Sequence, residues 1–135
     1  MYLLDTNVLS ELRKRTADPQ VVGWLRLRHP TDLYLSAITL FEIEVGVRRV
    51  ERRDPAQGQR LRAWVNELGE SFRGRILPVD QQVAVLAASL HVPDPAPDRD
   101  AFIAATALAN NLTVVTRNVR DFAPFGVALI DPWNA

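Results

Sequence analysis

Short apolar runs alternate with stretches of helical periodicity along this chain, and that alternation constrains the fold more than any other feature of the sequence. Between the runs, apolar residues recur every three or four positions, which is the spacing of a helix that packs on one face. Parallel strands need a long crossover between them, usually a helix. The alternation therefore predicts an α/β fold in which helices cover both faces of a parallel sheet. The predicted strands are residues 2–4, 33–35, 75–79, 113–116 and 127–130.

Side chains that cap helices mark where several of the helices begin. Asp5 precedes the first helix, and Asp18 stands before a proline at the start of the second. Thr39 and Glu42 have the spacing of a capping box, in which Thr39 opens a helix that runs to about residue 53. The Asp54-Pro pair ends that helix and precedes another. Later helices are predicted at residues 81–90 and 99–110.

Size and composition exclude several classes of protein. A chain of 135 residues fits one hydrophobic core, so we expect a single domain over residues 1–135. The absence of cysteine excludes disulfides, zinc–thiolate sites and cysteine nucleophiles. The apolar run at the N-terminus stops at Asp5, which is too short for a signal peptide or a membrane span. We therefore expect a cytoplasmic protein that does not contact a membrane.

Four acidic residues lie at the ends of predicted elements. Asp5 follows the first strand, and Glu42 is placed in the first turn of the helix after the second. Asp100 opens the helix before the fourth strand, and Asp121 follows that strand. Parallel strands bring such positions together at the carboxyl edge of the sheet, where α/β proteins bind their ligands. Taken singly, each acid is equally well explained as a helix cap or a first-turn charge, so both interpretations stay open.

The chemistry of a carboxylate cluster points to a metal ion. Clustered carboxylates raise one another's pKa unless a cation neutralises them. Oxygen ligands of this kind favour Mg²⁺ or Mn²⁺, with water and substrate phosphate completing the coordination shell. Such an ion activates water and stabilises the charge of a phosphodiester under attack.

Arginine makes up fifteen of the sixteen basic residues, and Lys14 is the only lysine. The planar guanidinium group suits phosphates and carboxylates. One group of arginines falls within a short stretch that also contains Glu51 and Asp54, so it is either a basic surface for RNA or an acidic partner, or a salt-bridged helix face. The group comprises Arg48, Arg49, Arg52, Arg53, Arg60 and Arg62.

Five local sequences carry a family resemblance that covers essentially the whole chain. In order, they are YLLDTNVLSE (2–11), LSAITLFEIEVG (35–46), RDAFIAATA (99–107), TVVTRNVRDF (113–122) and DPW (131–133). Their sequence, order and approximate spacing resemble those of PIN-domain proteins of the VapC and FitB type.

The resemblance implies a three-layer α/β/α fold with a five-stranded parallel sheet, usually dimeric. It implies a Mg²⁺-dependent endoribonuclease, with Mn²⁺ as a substitute, that hydrolyses RNA phosphodiester bonds with metal-activated water. In that family such an enzyme is the toxin of a VapBC-type toxin–antitoxin system, and a VapB-like antitoxin covers its acidic groove. The expected partners are thus RNA, the antitoxin and a second copy of the chain.

The resemblance also assigns roles to individual residues. It implies that Asp5, Glu42 and Asp100 hold the metal ion and take part in catalysis. Thr6 and Asn7 would orient Asp5, and Thr116 would line the pocket. Many relatives carry a further acid directly after the Thr-Arg pair, where this chain has Asn118. Asn118 offers a neutral oxygen, and Asp121, one helical turn beyond it, is the candidate for the missing catalytic carboxylate.

Other catalytic arrangements find little support. His29 and His91 have no evident serine or cysteine partner, and the six glycines form no phosphate-binding loop. The three tryptophans are more readily explained by packing than by base stacking. Two alternatives remain, a catalytically weak PIN domain that serves as an interaction protein and a non-nuclease α/β binding module. A phospho-acceptor receiver, one such module, would require a lysine after a late strand, where none occurs.

Overall fold

The computed structural model describes residues 1–135 and contains one sheet of five short strands. The strands are β1 (Tyr2–Leu4), β2 (Leu33–Ser36), β3 (Ile76–Leu77), β4 (Thr113–Val115) and β5 (Leu129–Ile130). They are ordered β3-β2-β1-β4-β5, and every neighbouring pair is parallel. The predicted α/β fold with a five-stranded parallel sheet is thereby confirmed. All five strands present their carboxyl ends at the same edge of the sheet.

Seven helices connect the strands. They are α1 (Thr6–Arg13), α2 (Pro19–Arg26), α3 (Ala37–Arg53), α4 (Pro55–Ser71), α5 (Gln81–Ser89), α6 (Asp98–Ala109) and α7 (Val119–Phe122). Single turns of 3-10 helix lie at Pro30–Asp32 and Ala123–Phe125. No helix combines the length and the apolar content that a membrane span requires.

The central strands are buried on both faces, which makes the fold a three-layer sandwich. Successive side chains of a strand point to opposite faces of the sheet. Leu4 and Val115 pack into a cluster with residues of helices α1 to α4, whereas Leu3 and Val114 pack into a second cluster with residues of α6 and α7. Helix α5 adds to the second layer through its contacts with α6. The runs at 2–4 and 113–115 are apolar without alternation because both of their faces are covered.

The start of α3 differs from the prediction. Ser36, the last residue of β2, caps the helix, and its Oγ accepts a hydrogen bond from the backbone N–H of Ile38 at 3.0 Å. Thr39 is the third residue of the helix, fully buried, and its Oγ1 has no hydrogen-bond partner. The predicted capping box at Thr39 is therefore wrong, and Glu42 lies in the second turn of α3, not the first. The strand passes into the helix without a loop, so the serine at the junction serves as the cap.

Most other boundaries agree with the prediction. Asp18 caps α2, and Asp54 both ends α3 and caps α4. Strands β3 and β5 are two residues long, shorter than the predicted runs at 75–79 and 127–130. Each lies at an edge of the sheet and pairs with a single neighbour, so fewer of its residues join a hydrogen-bond ladder.

Candidate active site

Asp5 lies at the carboxyl end of the central strand and is buried. It caps α1, and its Oδ1 accepts a hydrogen bond from the backbone N–H of Thr6 at 2.8 Å. Its Oδ2 accepts one from the Thr116 hydroxyl at 2.8 Å and a longer one from Asn7 Nδ2 at 3.3 Å. Burial raises the pKa of Asp5 above its ordinary value despite these hydrogen bonds, and the charge of Glu42 adds to the rise.

Glu42 approaches the same region from α3. The Thr6 hydroxyl donates a hydrogen bond to Glu42 Oε1 at 3.0 Å. The side chain of Thr6 therefore orients Glu42, and only its backbone N–H contacts Asp5. Asn7 does contact Asp5, as predicted. Thr6 thus links two acids that are distant in sequence, because α1 and α3 lie side by side beneath the sheet edge.

Asp100 is the third residue of α6 and is partly exposed. Its pKa is raised to about 6, first by burial and then by the charges of Asp5, Asp121 and Glu42. The negative charges of three other acids thus act on Asp100, and no basic side chain lies close enough to lower its pKa again. The three predicted metal ligands are therefore electrostatically coupled.

The three acids line one open cavity of about 440 Å³. Ten of its eleven lining residues are polar or charged, and Trp133 is the only hydrophobic one. Besides the three acids, the lining consists of Thr6, Asn7, Ser10, Glu11, Lys14, Arg117, Asn118 and Trp133.

Thr116 connects the cavity to the loop after β4. Its hydroxyl oxygen donates to Asp5 and accepts hydrogen bonds from the backbone N–H of Asn118 at 3.0 Å and from Asn7 Nδ2 at 3.3 Å. Asn7 Oδ1 in turn accepts from the backbone N–H of Arg117 at 3.3 Å. Thr116 is fully buried, so it holds the Asp5 carboxylate from the interior of the protein and does not line the cavity itself.

The donor chemistry of the cavity fits a hard divalent cation. Asp5, Glu42 and Asp100 offer oxygen atoms only, as Mg²⁺ and Mn²⁺ prefer. No three acidic or histidine side chains lie close enough together to enclose an ion by themselves. Mg²⁺ does not require such a cage, because it usually binds one or two carboxylates and keeps several waters.

Comparison with known proteins gives the family. The sequence model of the PIN domain family matches residues 2–125 of the chain. The chain belongs to the PIN domain family. It is 38% identical to Toxin FitB of Neisseria gonorrhoeae over 99% of both chains. The crystal structure of FitAcB from that organism superimposes with a TM-score of 0.86 at 36% identity and full coverage of both chains.

Two further similarities concern other organisms. The chain is 37% identical to VapC ribonuclease Y4jK of Sinorhizobium fredii over 99% of both chains. It also resembles a chain in the toxin–antitoxin complex from Klebsiella pneumoniae, with a TM-score of 0.71, 28% identity and 98% coverage of each chain. The predicted resemblance to PIN-domain proteins of the VapC and FitB type is confirmed.

Asn118 and Asp121, the two candidates for a fourth residue of the site, line different hollows. Asn118 is exposed and lines the acidic cavity. Asp121 is exposed in α7 and lines a neighbouring hollow formed with the proline segment at 92–97. Its charge nevertheless contributes to the raised pKa of Asp100. A role for Asp121 at the site therefore rests on its charge, and it stays a prediction.

Several lining residues of the PIN domain were missed at the sequence level. Ser10 and Glu11 follow Asn7 along one face of α1, at spacings of three and four residues, and Lys14 directly follows the helix, so helical spacing was the available signal for the first two. Glu11 is structural, because its carboxylate accepts from the Asp18 backbone N–H and from Lys14 Nζ, each at 3.0 Å. These hydrogen bonds, the Asp18 one first, lower its pKa.

The remaining candidates lie elsewhere. His29 is exposed beside Thr31, and His91 bonds to the Ala87 carbonyl and to Asp98, which raises the pKa of its ring. Neither histidine lines the acidic cavity.

The arginine-rich stretch of α3 and α4 contains both salt-bridged and unpaired arginines. Arg62 bridges Glu44 at 2.6 Å and Glu51 at 3.0 Å, and Arg48 lies 3.4 Å from Glu44. The other four arginines of the group are exposed and have no acidic partner within 4.0 Å. They are Arg49, Arg52, Arg53 and Arg60.

Proposed function

We propose that this protein is a metal-dependent endoribonuclease, built as a single PIN domain over residues 1–135, and the toxin of a toxin–antitoxin pair. One observation carries the proposal. Asp5 and Asp100 share one polar cavity, the pKa of each is raised by burial and by the charges of neighbouring acids, and neither is paired with a basic side chain within 4.0 Å. Uncompensated carboxylates at the carboxyl edge of a parallel sheet favour binding of an external cation.

The ion we propose is Mg²⁺, for which Mn²⁺ substitutes, held by Asp5, Glu42 and Asp100. When bound, the ion supplies Lewis-acid stabilisation of the phosphodiester and lowers the pKa of a water that attacks it. Thr116 and Asn7 hold the Asp5 carboxylate in place, and Thr6 holds that of Glu42. Asn118 offers a neutral oxygen, and Asp121 adds charge from outside the cavity.

The chain also offers cationic groups for the phosphates of the substrate. Lys14 and Arg117 line the cavity beside the acids. A polyanion would otherwise be repelled by the carboxylates, so these side chains favour its approach. The name of VapC ribonuclease Y4jK supports RNA as the substrate.

The proposed partners of the folded chain are a VapB-like antitoxin and a second copy of itself. The names of Toxin FitB and of the Klebsiella toxin–antitoxin complex support the antitoxin as a partner. A basic side chain of the antitoxin would neutralise the acids of the cavity and exclude the metal ion. We place this pair in the cytoplasm, where its RNA substrate lies.

A cleavage assay with purified protein tests the nuclease. We expect excess chelator to abolish cleavage of total RNA, and Mg²⁺ or Mn²⁺ to restore it in the same sample. The matched control is Ca²⁺, whose larger radius and flexible coordination suit this chemistry poorly. Full cleavage in excess chelator would contradict the metal-dependent mechanism. Metal binding without any cleavage would favour the catalytically weak interaction protein.

Growth measurements test the toxin. We expect induced expression of the chain to arrest growth and co-expression of a short neighbouring reading frame to relieve the arrest. Expression of Asp5→Asn to the same soluble level is the control. Unimpaired growth with abundant soluble wild-type protein would contradict the toxin role even if the nuclease activity is real.

A further inference from the structure

Phe41 is the only one of the ten aromatic side chains that is exposed, with half of its surface accessible. It directly precedes Glu42 in α3. Single exposed apolar side chains are common on protein surfaces, so the exposure of Phe41 by itself decides nothing. Its place next to Glu42 and against Arg99 makes it a candidate stacking surface.

Arg99 covers this ring. Its guanidinium carbon lies 5.0 Å from the centre of the Phe41 ring, within the range of a cation–π contact. Its Nη1 lies 3.7 Å from Glu42 Oε2. Arg99 directly precedes Asp100, so each member of the pair is adjacent in sequence to one of the proposed metal ligands. Arg99 reaches Glu42 of the cavity lining and Phe41 packs against Arg99, so the pair lies beside the acidic cavity, outside its lining, where α3 and α6 are in contact.

Arg99 keeps capacity for another partner. Half of its side chain is exposed, and its single ionic contact with Glu42 is long. A guanidinium group carries five donors, which suit the oxygens of a phosphate. The ring and the guanidinium together present a stacking surface and an anion-binding group side by side, which matches the two parts of one nucleotide.

Resting on the proposed function, we propose that Phe41 and Arg99 form a subsite for one unpaired nucleotide of the RNA substrate. Its base stacks on Phe41, and Arg99 binds a phosphate next to the bond that is cut. A paired base has both faces covered by its neighbours, so this subsite selects single-stranded RNA over duplex. A second pair, Arg117 at 5.1 Å over Trp133, lies in the cavity lining and extends the same chemistry.

Charge complementarity favours RNA over a protein as the occupant. The cavity lining contains four acids that repel phosphate, and Lys14 is paired with one of them, Glu11, whereas Arg99 and Arg117 each lie over an aromatic ring beside the cavity or in its lining. Aromatic rings next to arginines are the groups by which single strands are bound without strong sequence preference. Phe41 and Arg99 are thus positioning residues for the substrate.

Binding measured in excess chelator tests the subsite without cleavage. The probe is a fluorescent single-stranded RNA, together with a series in which one base at a time is replaced by an abasic nucleotide. We expect Phe41→Ala to weaken binding of the intact strand on the order of tenfold. For the strand that lacks the stacked base, the affinity of Phe41→Ala should equal that of wild type. Phe41→Trp should retain affinity, and duplex RNA should not respond to either change.

Arg99 has its own readout. Arg99→Ala should reduce the dependence of log affinity on log salt by roughly 0.7, the loss of one phosphate contact on a single strand. In the cleavage assay, both Phe41→Ala and Arg99→Ala should act on KM more than on kcat. Leu27→Ala is the matched control, because Leu27 is a still more exposed apolar residue outside the cavity lining.

The outcomes separate this inference from the proposed function. If wild type neither binds nor cleaves RNA, the proposed function is wrong. If wild type cleaves RNA while Phe41→Ala binds every strand within twofold of wild type, only the subsite is wrong. If Phe41→Ala loses the antitoxin and binds RNA normally, the ring serves a protein partner and the subsite is again wrong.

Discussion

Two clusters of carboxylates lie on opposite sides of α3, and they differ in one respect. Glu42 belongs to the cavity with Asp5 and Asp100, whereas Glu44, two residues later, binds Arg62 of α4 together with Glu51. Two residues along a helix correspond to more than half a turn, so the two side chains point in nearly opposite directions. One helix thus contributes to both clusters.

The two clusters differ in whether a basic side chain bridges their acids. The hydrogen bonds and charge of Arg62 lower the pKa of Glu44 and of Glu51, and the two acids raise the pKa of Arg62. In the cavity, burial and mutual repulsion raise the pKa of Asp5 and of Asp100. Arg62 compensates the charges of Glu44 and Glu51 and so joins α3 to α4, whereas Asp5 and Asp100 have no bridging cation and are two of the acids for which we propose a bound metal ion.

The largest effect that we predict separates the two clusters by activity. Asp5→Asn should reduce metal-dependent RNA cleavage on the order of 10³-fold, because several kcal/mol of charge stabilisation depend on the ion that Asp5 holds. Glu44→Gln makes the same chemical change in the other cluster and should leave cleavage unaltered. Single-turnover rates and circular dichroism of both variants are the measurements. Equal losses of activity in the two variants would erase the functional distinction between the clusters.

A second prediction concerns stability and pH in excess chelator. Because the pKa of Asp100 is about 6 in the folded chain, the folded state retains its proton to higher pH than the unfolded state. The free energy of unfolding therefore falls as pH rises from about 4 to 6, and Asp100→Asn removes this loss. We expect Asp100→Asn to be more stable than wild type at pH 7 by ~1 kcal/mol, after allowance for solvent screening.

Urea unfolding of Asp100→Asn and wild type at pH 4 and pH 7 measures this difference. The advantage of the variant should be small at pH 4 and full at pH 7. Saturating Mg²⁺ should reverse the order at pH 7, because only wild type gains from full binding of the ion. A variant that is less stable at both pH values would show that Asp100 serves the fold through contacts and not through its charge.

The third prediction addresses the cluster that contains its own cation. Arg62→Met leaves Glu44 and Glu51 with only Arg48 to offset their repulsion, so the midpoint of thermal unfolding should fall by about 3 °C. Cleavage at a temperature well below the midpoint should persist. The double variant with Glu44→Gln should recover part of the loss, because it removes one of the repelling charges. No recovery would mean that packing of the Arg62 side chain, not its charge, joins α3 to α4.

The smallest predicted effect concerns the fourth position. Asp121 is exposed, so Asp121→Asn should weaken Mg²⁺ binding only about twofold, within the range of a screened surface charge. Asn118→Asp should tighten binding instead, because it adds a carboxylate to the cavity lining. A calorimetric Mg²⁺ titration of both variants against wild type measures this. Unchanged affinity in Asp121→Asn would restrict the site to three acids.

The proposed metal ligands were predictable from sequence because Asp5 follows a strand and Glu42 and Asp100 lie near the beginnings of helices. In a parallel sheet the ends of the strands and the beginnings of the helices that lead into the next strand lie at the carboxyl edge, so these positions follow from the order of the elements. The family motifs added Thr116. The beginning of α3 was predicted wrongly because Thr39 and Ser36 are both good caps, and only the position where β2 ends decides between them.

Contacts between distant elements could not be predicted. Thr6 was expected to orient Asp5, and its hydroxyl instead reaches Glu42 because α1 and α3 are neighbours in space. The stacking of Arg99 on Phe41 depends likewise on the approach of α6 to α3. Asp121 likewise lies outside the cavity lining, because α7 places it beside the proline segment, a contact between elements distant in sequence.

The hydrogen bond from the Thr6 backbone N–H to Asp5 makes the site observable without any RNA. That N–H is at once the first amide of α1 and a donor to a proposed metal ligand. Its proton resonance must move whenever the Asp5 carboxylate gains a proton or a cation. In a protein labelled with nitrogen-15, the chemical shift of this amide would show whether the Asp5 carboxylate is free, protonated or bound to a metal ion. Followed through a titration, it would also give the ion concentration at which the carboxylate changes from one state to another.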